Sequence, residues 1–159
     1  MPAAPWLEAA QQELVACILR SHRQGFGRNL LPRQDPAHQA QELFACPTVV
    51  LAHDGSDPGG DPGPRLIYAN AAALQLWQRS WGQMVGLPSR LTAEPQQRRE
   101  RARMLVQAQQ QHAISGYSGI RISSGGRRFQ IDNARLWTLW DADGRPCGQA
   151  AAFNSWWWL

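Results

Sequence analysis

The 159-residue chain contains no lysine: all 16 of its basic side chains are arginine, against 12 acidic ones, for a formal net charge of +4. The arginines are scattered from Arg20 to Arg145 and form no stripe, so charge gives no reason to expect nucleic acid as a partner. Cysteine is scarce as well. Cys17, Cys46 and Cys147 are odd in number and far apart, which excludes a disulfide framework or zinc-ligand spacing and suits free thiols in a reducing compartment. No long apolar run is present, and the first twenty residues carry Glu8 and Glu13 where a signal peptide or membrane span needs an unbroken apolar block. The cytoplasm is therefore the expected location, with no membrane partner. Also missing are a histidine at recognisable spacing from a nucleophile, a glycine-rich phosphate loop and a helix bearing a metal-ligand pair, so neither an enzyme nor a metal site is expected.

What is present is a globular composition, 43% hydrophobic and 18% charged, of a length that suits one domain with an added element. Over residues 5–21 the apolar positions Leu7, Leu14, Val15, Ile18 and Leu19 recur at helical spacing and predict an amphipathic helix. Its apolar face needs a partner, either the body of the domain or a second subunit. After a Gly- and Pro-containing connection, "PAHQAQELFA" predicts a second short helix.

The pattern then changes. "TVVLAH" and "RLIYA" read as strands separated by the turn-rich loop "DGSDPGGDPGP". Asn70 follows the second strand where a helix needs a side-chain acceptor for its first amides, so an N-cap is expected there, with a helix over 71–79. "SWGQMVG" predicts another short helix entered through Ser80, and Thr92 or Glu94 opens a longer one, with Pro95 in its first turn, that reaches about Gln111. The last third is β: "GYSGIRIS", a Gly125-Gly126 turn, "RRFQIDNARLWTLW", a "DADG" turn and "RPCGQAAAF" predict three antiparallel strands in hairpin succession.

This order, with "LIYANAAALQLW", "SWGQMVGLPSRL" and "DADGRPCGQAAAF", resembles the PAS fold. More narrowly, "YANAAALQLW", Ser80-Trp81, "GLPSRLTAEP", "YSGIRISSGGRRFQIDNARLW" and "GQAAAF" resemble the MEKHLA domain, a PAS-related family found as stand-alone bacterial proteins and at the C-terminus of plant class III homeodomain leucine-zipper factors. The resemblance covers about residues 48–153. The letters M-E-K-H-L-A do not occur, and the loop over 54–64 is longer and richer in glycine and proline than the fold needs. The resemblance implies an α+β domain over 47–153, a five-stranded antiparallel sheet with helices packed on one face, preceded by a helical extension (1–46) and followed by a tryptophan-rich tail (154–159).

Strand parity selects the candidate site. In "FQIDNARLWTL" the residues Phe129, Ile131, Asn133, Arg135, Trp137 and Leu139 share one face, so Asn133 is expected to point inward among hydrophobes. Gln149 shares parity with Ala151 and Phe153 on the last strand and brings a second amide to the same cavity. Two amides with Trp77, Trp81 and Trp137 suit a small or planar organic ligand; the alternative is that the amides bond each other or the sheet and the tryptophans are core. Arg90 could reach the pocket mouth to hold a carboxylate or phosphate, and Arg121 is ambiguous because alternation with Ile120 and Ile122 turns it outward if they face in. The alternative for both is a pair with Asp132 or Glu94. Arg98, Arg99, Arg101 and Arg103 read as a solvated helix face. No cofactor is identified. The PAS resemblance brings flavin and haem to mind, but no cysteine between Cys46 and Cys147 can form a flavin adduct, and His112 reads as a helix-end residue and not as a haem ligand.

The terminal "SWWWL" must pack back on the domain or dock elsewhere. Trp156, Trp157 and Trp158, with Trp6, Leu14 and Ile18 of the N-terminal segment, make the expected association surface for a homodimer or partner protein. The expected function is a sensory or regulatory domain that binds a small ligand and signals by protein contact; the alternative is a ligand-free dimerisation or interaction module.

Overall fold

Asn70 organises the middle of the chain. In the computed structural model, which describes residues 4–159 apart from the side chains of residues 95 and 96, its Oδ1 accepts from the amide of Ala73 at 3.2 Å and caps a helix as expected. The same oxygen accepts from Val50 N at 3.0 Å, while Nδ2 donates to the carbonyls of Leu43 at 3.1 Å and Thr48 at 2.7 Å. One wholly buried amide therefore pins a helix end, a strand and the start of a second helix.

The elements it joins are α2 (Gln39–Ala45), β1 (Val49–His53), β2 (Leu66–Ala69) and α3 (Ala71–Trp77). Before them runs α1 (Ala9–Phe26), longer than expected because its stop is Gly27, in the left-handed conformation, whose amide closes on Arg23 O. After them come α4 (Trp81–Met84), entered through a Ser80 and Gln83 capping box, a 3₁₀ turn at Ser89–Thr92, and α5 (Pro95–Gln111). The chain ends in β3 (Ala113–Ile122), β4 (Arg128–Trp140), β5 (Pro146–Phe153) and β6 (Ser155–Trp158).

All strands pair antiparallel, in the order β2-β1-β5-β4-β3, which is the expected five-stranded sheet. The expected tail is not a tail: β6 continues the line of β5 and pairs with the first part of β4. Trp156 and Trp158 turn back onto Phe129, their rings 6.1 and 5.6 Å from it.

Two cores flank the sheet. On one face α3, α4 and α5 cover Leu66, Phe129, Ile131, Ala134, Leu136 and Phe153. On the other, Val15, Ile18 and Leu19 of α1 and Leu43 of α2 cover Val50, Tyr68, Trp137 and Leu139. The N-terminal helix therefore finds its partner in its own domain. Burying Ile18 and Leu19 side chains contributes roughly 1.5–3 kcal/mol each. Trp137 adds an indole N–H bond to the carbonyl of Ile18 at 3.2 Å.

Strict alternation along β4 fails at Asn133, which takes a left-handed φ of 52°. Between the Gly119–Ile131 and Tyr117–Ala134 pairs, β4 has two residues where β3 has one, a β-bulge. Inward residues are odd before it (Phe129, Ile131) and even after it (Ala134, Leu136). Across from it, Asn154 interrupts β5 and β6 at the same level and makes the same switch, from Ala151 and Phe153 to Trp156 and Trp158.

Candidate functional site

A cavity of about 60 Å³ lies between the inner sheet face and α3 and α5. Its apolar surface comes from Leu51, Trp77, Leu105, Ala134, Leu136 and Ala151. Its polar groups are Arg101 from α5, Tyr117 and Arg121 from β3, His53 from β1, Gln149 from β5 and Thr92. No aspartate or glutamate lines it.

His53 and Gln149 face each other across neighbouring strands, a registered pair, with Nε2 to Oε1 at 3.0 Å. The amide of Gly55 donates to His53 Nδ1 at 3.0 Å. Nδ1 is therefore the bare nitrogen, Nε2 carries the hydrogen, and the imidazole is neutral. Burial first and the Arg101 cation second push its pKa down to about 4. Gln149 completes its own bonding through Nε2 to Leu105 O at 3.4 Å, which ties β5 to α5.

On β3, Tyr117, Gly119 and Arg121 share the inward face. Arg121 donates to the Tyr117 hydroxyl at 2.8 Å and to Ile120 O at 2.8 Å. Gly119 makes this crossing available, because a Cβ there would meet the Tyr117 hydroxyl at 2.5 Å and Arg121 Nη1 at 3.0 Å. Arg101 is 7% exposed and Arg121 8% exposed. Arg101 has no hydrogen bond or ion pair among the described residues. Burial, then the Arg121 charge, lowers the Arg101 pKa to about 9, which still leaves it cationic at neutral pH.

Of the expected site residues, Gln149, Trp77 and Arg121 line this cavity. The others do not. Asn133 is exposed, because the bulge it forms turns it outward. Trp137 is on the opposite face under α1, for the same reason. Trp81 lies in an aromatic cluster on that face with Trp6, Phe44 and Tyr68. Arg90 is held at the surface by Pro62 O at 3.0 Å and Asp61 at 3.7 Å. Arg121 does not pair with Asp132 or Glu94; Asp132 accepts from Ser118 at 2.9 Å, and Glu94 meets Arg128 at 2.7 Å.

The expected association surface is largely used internally. Trp6 stacks on Phe44 with centroids 3.8 Å apart, Ile18 is wholly buried, and Leu14 packs on the α1 core. Trp157 alone of the terminal triplet is exposed, at 49%. Arg101 is the main correction, since it belongs to the cavity and not to a solvated helix face. Its signal was in the sequence: Arg101, Leu105 and Ala108 follow i, i+4, i+7 and form one helix stripe. Tyr117 could have been found through its parity with Arg121, and His53 through its place on a buried strand.

The sheet order, the helices over its inner face and the cavity between them define a PAS fold. Among solved structures, a PAS domain from Colwellia psychrerythraea is similar with a TM-score of 0.61 and 14% identity, over 73% of this chain and 92% of that one. A light-oxygen-voltage domain studied with a flavin analogue gives 0.57 and 13%, over 76% and 83%. An RNA-binding light-oxygen-voltage receptor gives 0.57 and 15%, over 77% of this chain and 36% of that one. No curated protein matches in sequence. The model of the MEKHLA domain matches residues 12–158, and the chain belongs to that family. The matched span takes in nearly all of α1 and β6. No helix among the described residues is long and apolar enough to cross a membrane.

Proposed function

We propose that this PAS-fold domain is a sensory or regulatory module that binds a small ligand in the cavity between the sheet and α5, and passes its state on by contact with another protein chain. The observation that supports ligand binding is a largely apolar cavity that the buried Arg101 lines without a protein partner among the described residues. A domain that only filled its core would not be expected to leave a guanidinium there, because buried charge without a counter-charge is strongly unfavourable.

The size of the site limits the ligand. Drug-sized and cofactor sites occupy roughly 300–1,000 Å³, so a cavity of about 60 Å³ suits a molecule much smaller than a flavin or haem. The acid, base and nucleophile roles of an enzyme have no evident occupants: His53 is neutral and engaged on both nitrogens. We read the protein as a binding module and not a catalyst. Native mass spectrometry of protein purified from its own host, before and after denaturation, tests the reading. A reproducible small added mass that is lost on denaturation supports it; a clean apo mass together with no thermal response to any small-molecule panel overturns it in favour of a ligand-free interaction module.

A further inference from the structure

We infer that the cavity is an anion site, built for a small monocarboxylate whose charged end lies between Arg101 and Arg121 and whose short apolar end lies against Leu105, Leu136 and Ala151. The inference rests on the ligand-binding reading above and assigns the chemical class of the ligand.

Three features carry it. The first is charge. Arg101 and Arg121 both line the cavity, are 7% and 8% exposed, and have no carboxylate among the other lining residues. Two guanidiniums lining one cavity repel each other, and a ligand anion is the counter-charge that the other lining residues do not supply. The second is donor capacity. A guanidinium has five N–H donors in a planar fork matched to carboxylate geometry. Arg121 uses donors on Tyr117 Oη and Ile120 O and so is fixed in place, whereas Arg101 is uncommitted among the described residues. This is a preorganised and an available donor set on one site.

The third is size and wall chemistry. At roughly 10–15 Å³ for each water-sized group, about 60 Å³ holds only a few heavy atoms. A nucleotide or dicarboxylate with a long chain is too large. Inorganic phosphate has the charge but nothing to set against Trp77, Leu105 and Leu136. A carboxylate with a short hydrocarbon or acyl end satisfies both halves of the site. His53 is no competitor for the anion, since its Nε2 hydrogen is given to Gln149.

The test is thermal unfolding of the full chain with acetate, propionate and pyruvate, against propionamide, inorganic phosphate and sodium chloride at matched ionic strength, repeated on Arg101→Gln. The expected result is a Tm rise of roughly 5–10 °C at a hundredfold excess over Kd, given by the carboxylates and not by the amide, phosphate or chloride, and lost in Arg101→Gln. Without ligand, Arg101→Gln is expected to melt higher than the parent, because one of two repelling buried cations is gone. An equal response to propionamide, a carboxylate response that survives in Arg101→Gln, or an apo variant that melts well below the parent overturns the assignment. A preference for phosphate also overturns the monocarboxylate class. If carboxylates give nothing while native mass spectrometry finds a neutral species, the anion assignment falls and the ligand-binding reading stands; if both are negative, both fall.

Discussion

The side chain of Asn70 accepts the amide hydrogen of Val50 at 3.0 Å, twenty residues earlier in the chain. The bond matters because the same side chain caps α3 and donates to two carbonyls at the α2–β1 junction. Asn70→Ala removes acceptor and donors together and should destabilise by about 3 kcal/mol, combining a lost cap with buried groups left unpaired. Asn70→Asp is the discriminating variant. A residue that only capped a helix would be replaced well by aspartate; here the variant loses both donations and buries a charge, so urea denaturation should place it no higher than Asn70→Ala.

Acid should loosen the fold below pH 6.5. Folded His53 resists protonation down to about pH 4, whereas an unfolded histidine takes a proton near 6.5. Between those values the unfolded chain binds more protons, so stability is complete above about pH 6.5 and is lost as pH falls toward 4. His53 contributes on the order of 3 kcal/mol of that loss. The groups around it are Arg101 on α5, Gln149 on β5 and Asp54 next in sequence. His22, buried against Trp137 and lowered to about 4 mainly by burial, titrates in the same window. Stability measured from pH 7 to 4 should fall less steeply for His53→Gln; an unchanged slope would show that His53 is accessible to protons in the folded state.

Ile18 belongs to the interior of one chain. Ile18→Ala should cost about 2–5 kcal/mol and leave the mass measured by light scattering unchanged, whereas an interface residue would change association at little cost to the monomer.

Gly119→Ala should act on the cavity and not on β3 as a strand. An added Cβ has no room beside the Tyr117 hydroxyl, so the Tyr117–Arg121 hydrogen bond must open. Far-ultraviolet circular dichroism should be preserved while the near-ultraviolet signal of the aromatic residues changes. Unaltered tyrosine signals and melting would mean that the side chains bypass the new methyl group.

Cys17 and Cys147, 130 residues apart in sequence, bring their sulfurs to 3.9 Å. Closing to the roughly 2 Å of a disulfide needs a small shift between α1 and β5. Diamide, which takes up the two electrons and two protons released as the thiols join, should link them within one chain, in the Cys46→Ser variant but not in Cys147→Ser. Burial and the neighbouring Cys17 hold the Cys147 thiol up at about 11, so the reaction should accelerate as pH rises above neutral. Products joined between chains would refute the geometry.

Much of the fold was legible because it rests on local rules. Asn70 at a strand-to-helix junction, Ser80 three residues before Gln83, and Gly125-Gly126 between β-branched runs each declare a boundary by their own chemistry. The PAS and MEKHLA resemblance added that the strands form one five-stranded antiparallel sheet; their order in it came from the structure. The site was only partly legible. Gln149 and Trp77 follow from parity and helix position, but parity assumes an unbroken strand, and one residue of bulge at Asn133 reversed the assignments of Asn133 and Trp137. Arg101 escaped for a different reason. Arginines at four of six positions look like a solvated surface, and the stripe it shares with Leu105 and Ala108 separates it from Arg99 and Arg103, while Arg98, one turn earlier on that stripe, is half-buried and donates to the carbonyls of Arg90 and Ala93.

The paired irregularities at Asn133 and Asn154 bear on how this domain can change in length. Removing Asn133 alone would take the bulge out of β4 and restore plain alternation, so Ile131, Ala134 and Leu136 would stay on the cavity side and Trp137 under α1, while Asn154 would be left without a counterpart in β4. Removing Asn154 alone would likewise keep Phe153, Trp156 and Trp158 on the inner face and would leave the Asn133 bulge unmatched across the sheet. Each asparagine is thus a one-residue insertion that the neighbouring strand matches, so losing both together keeps the pairing of β4 with β5 and β6 in step, whereas losing one does not.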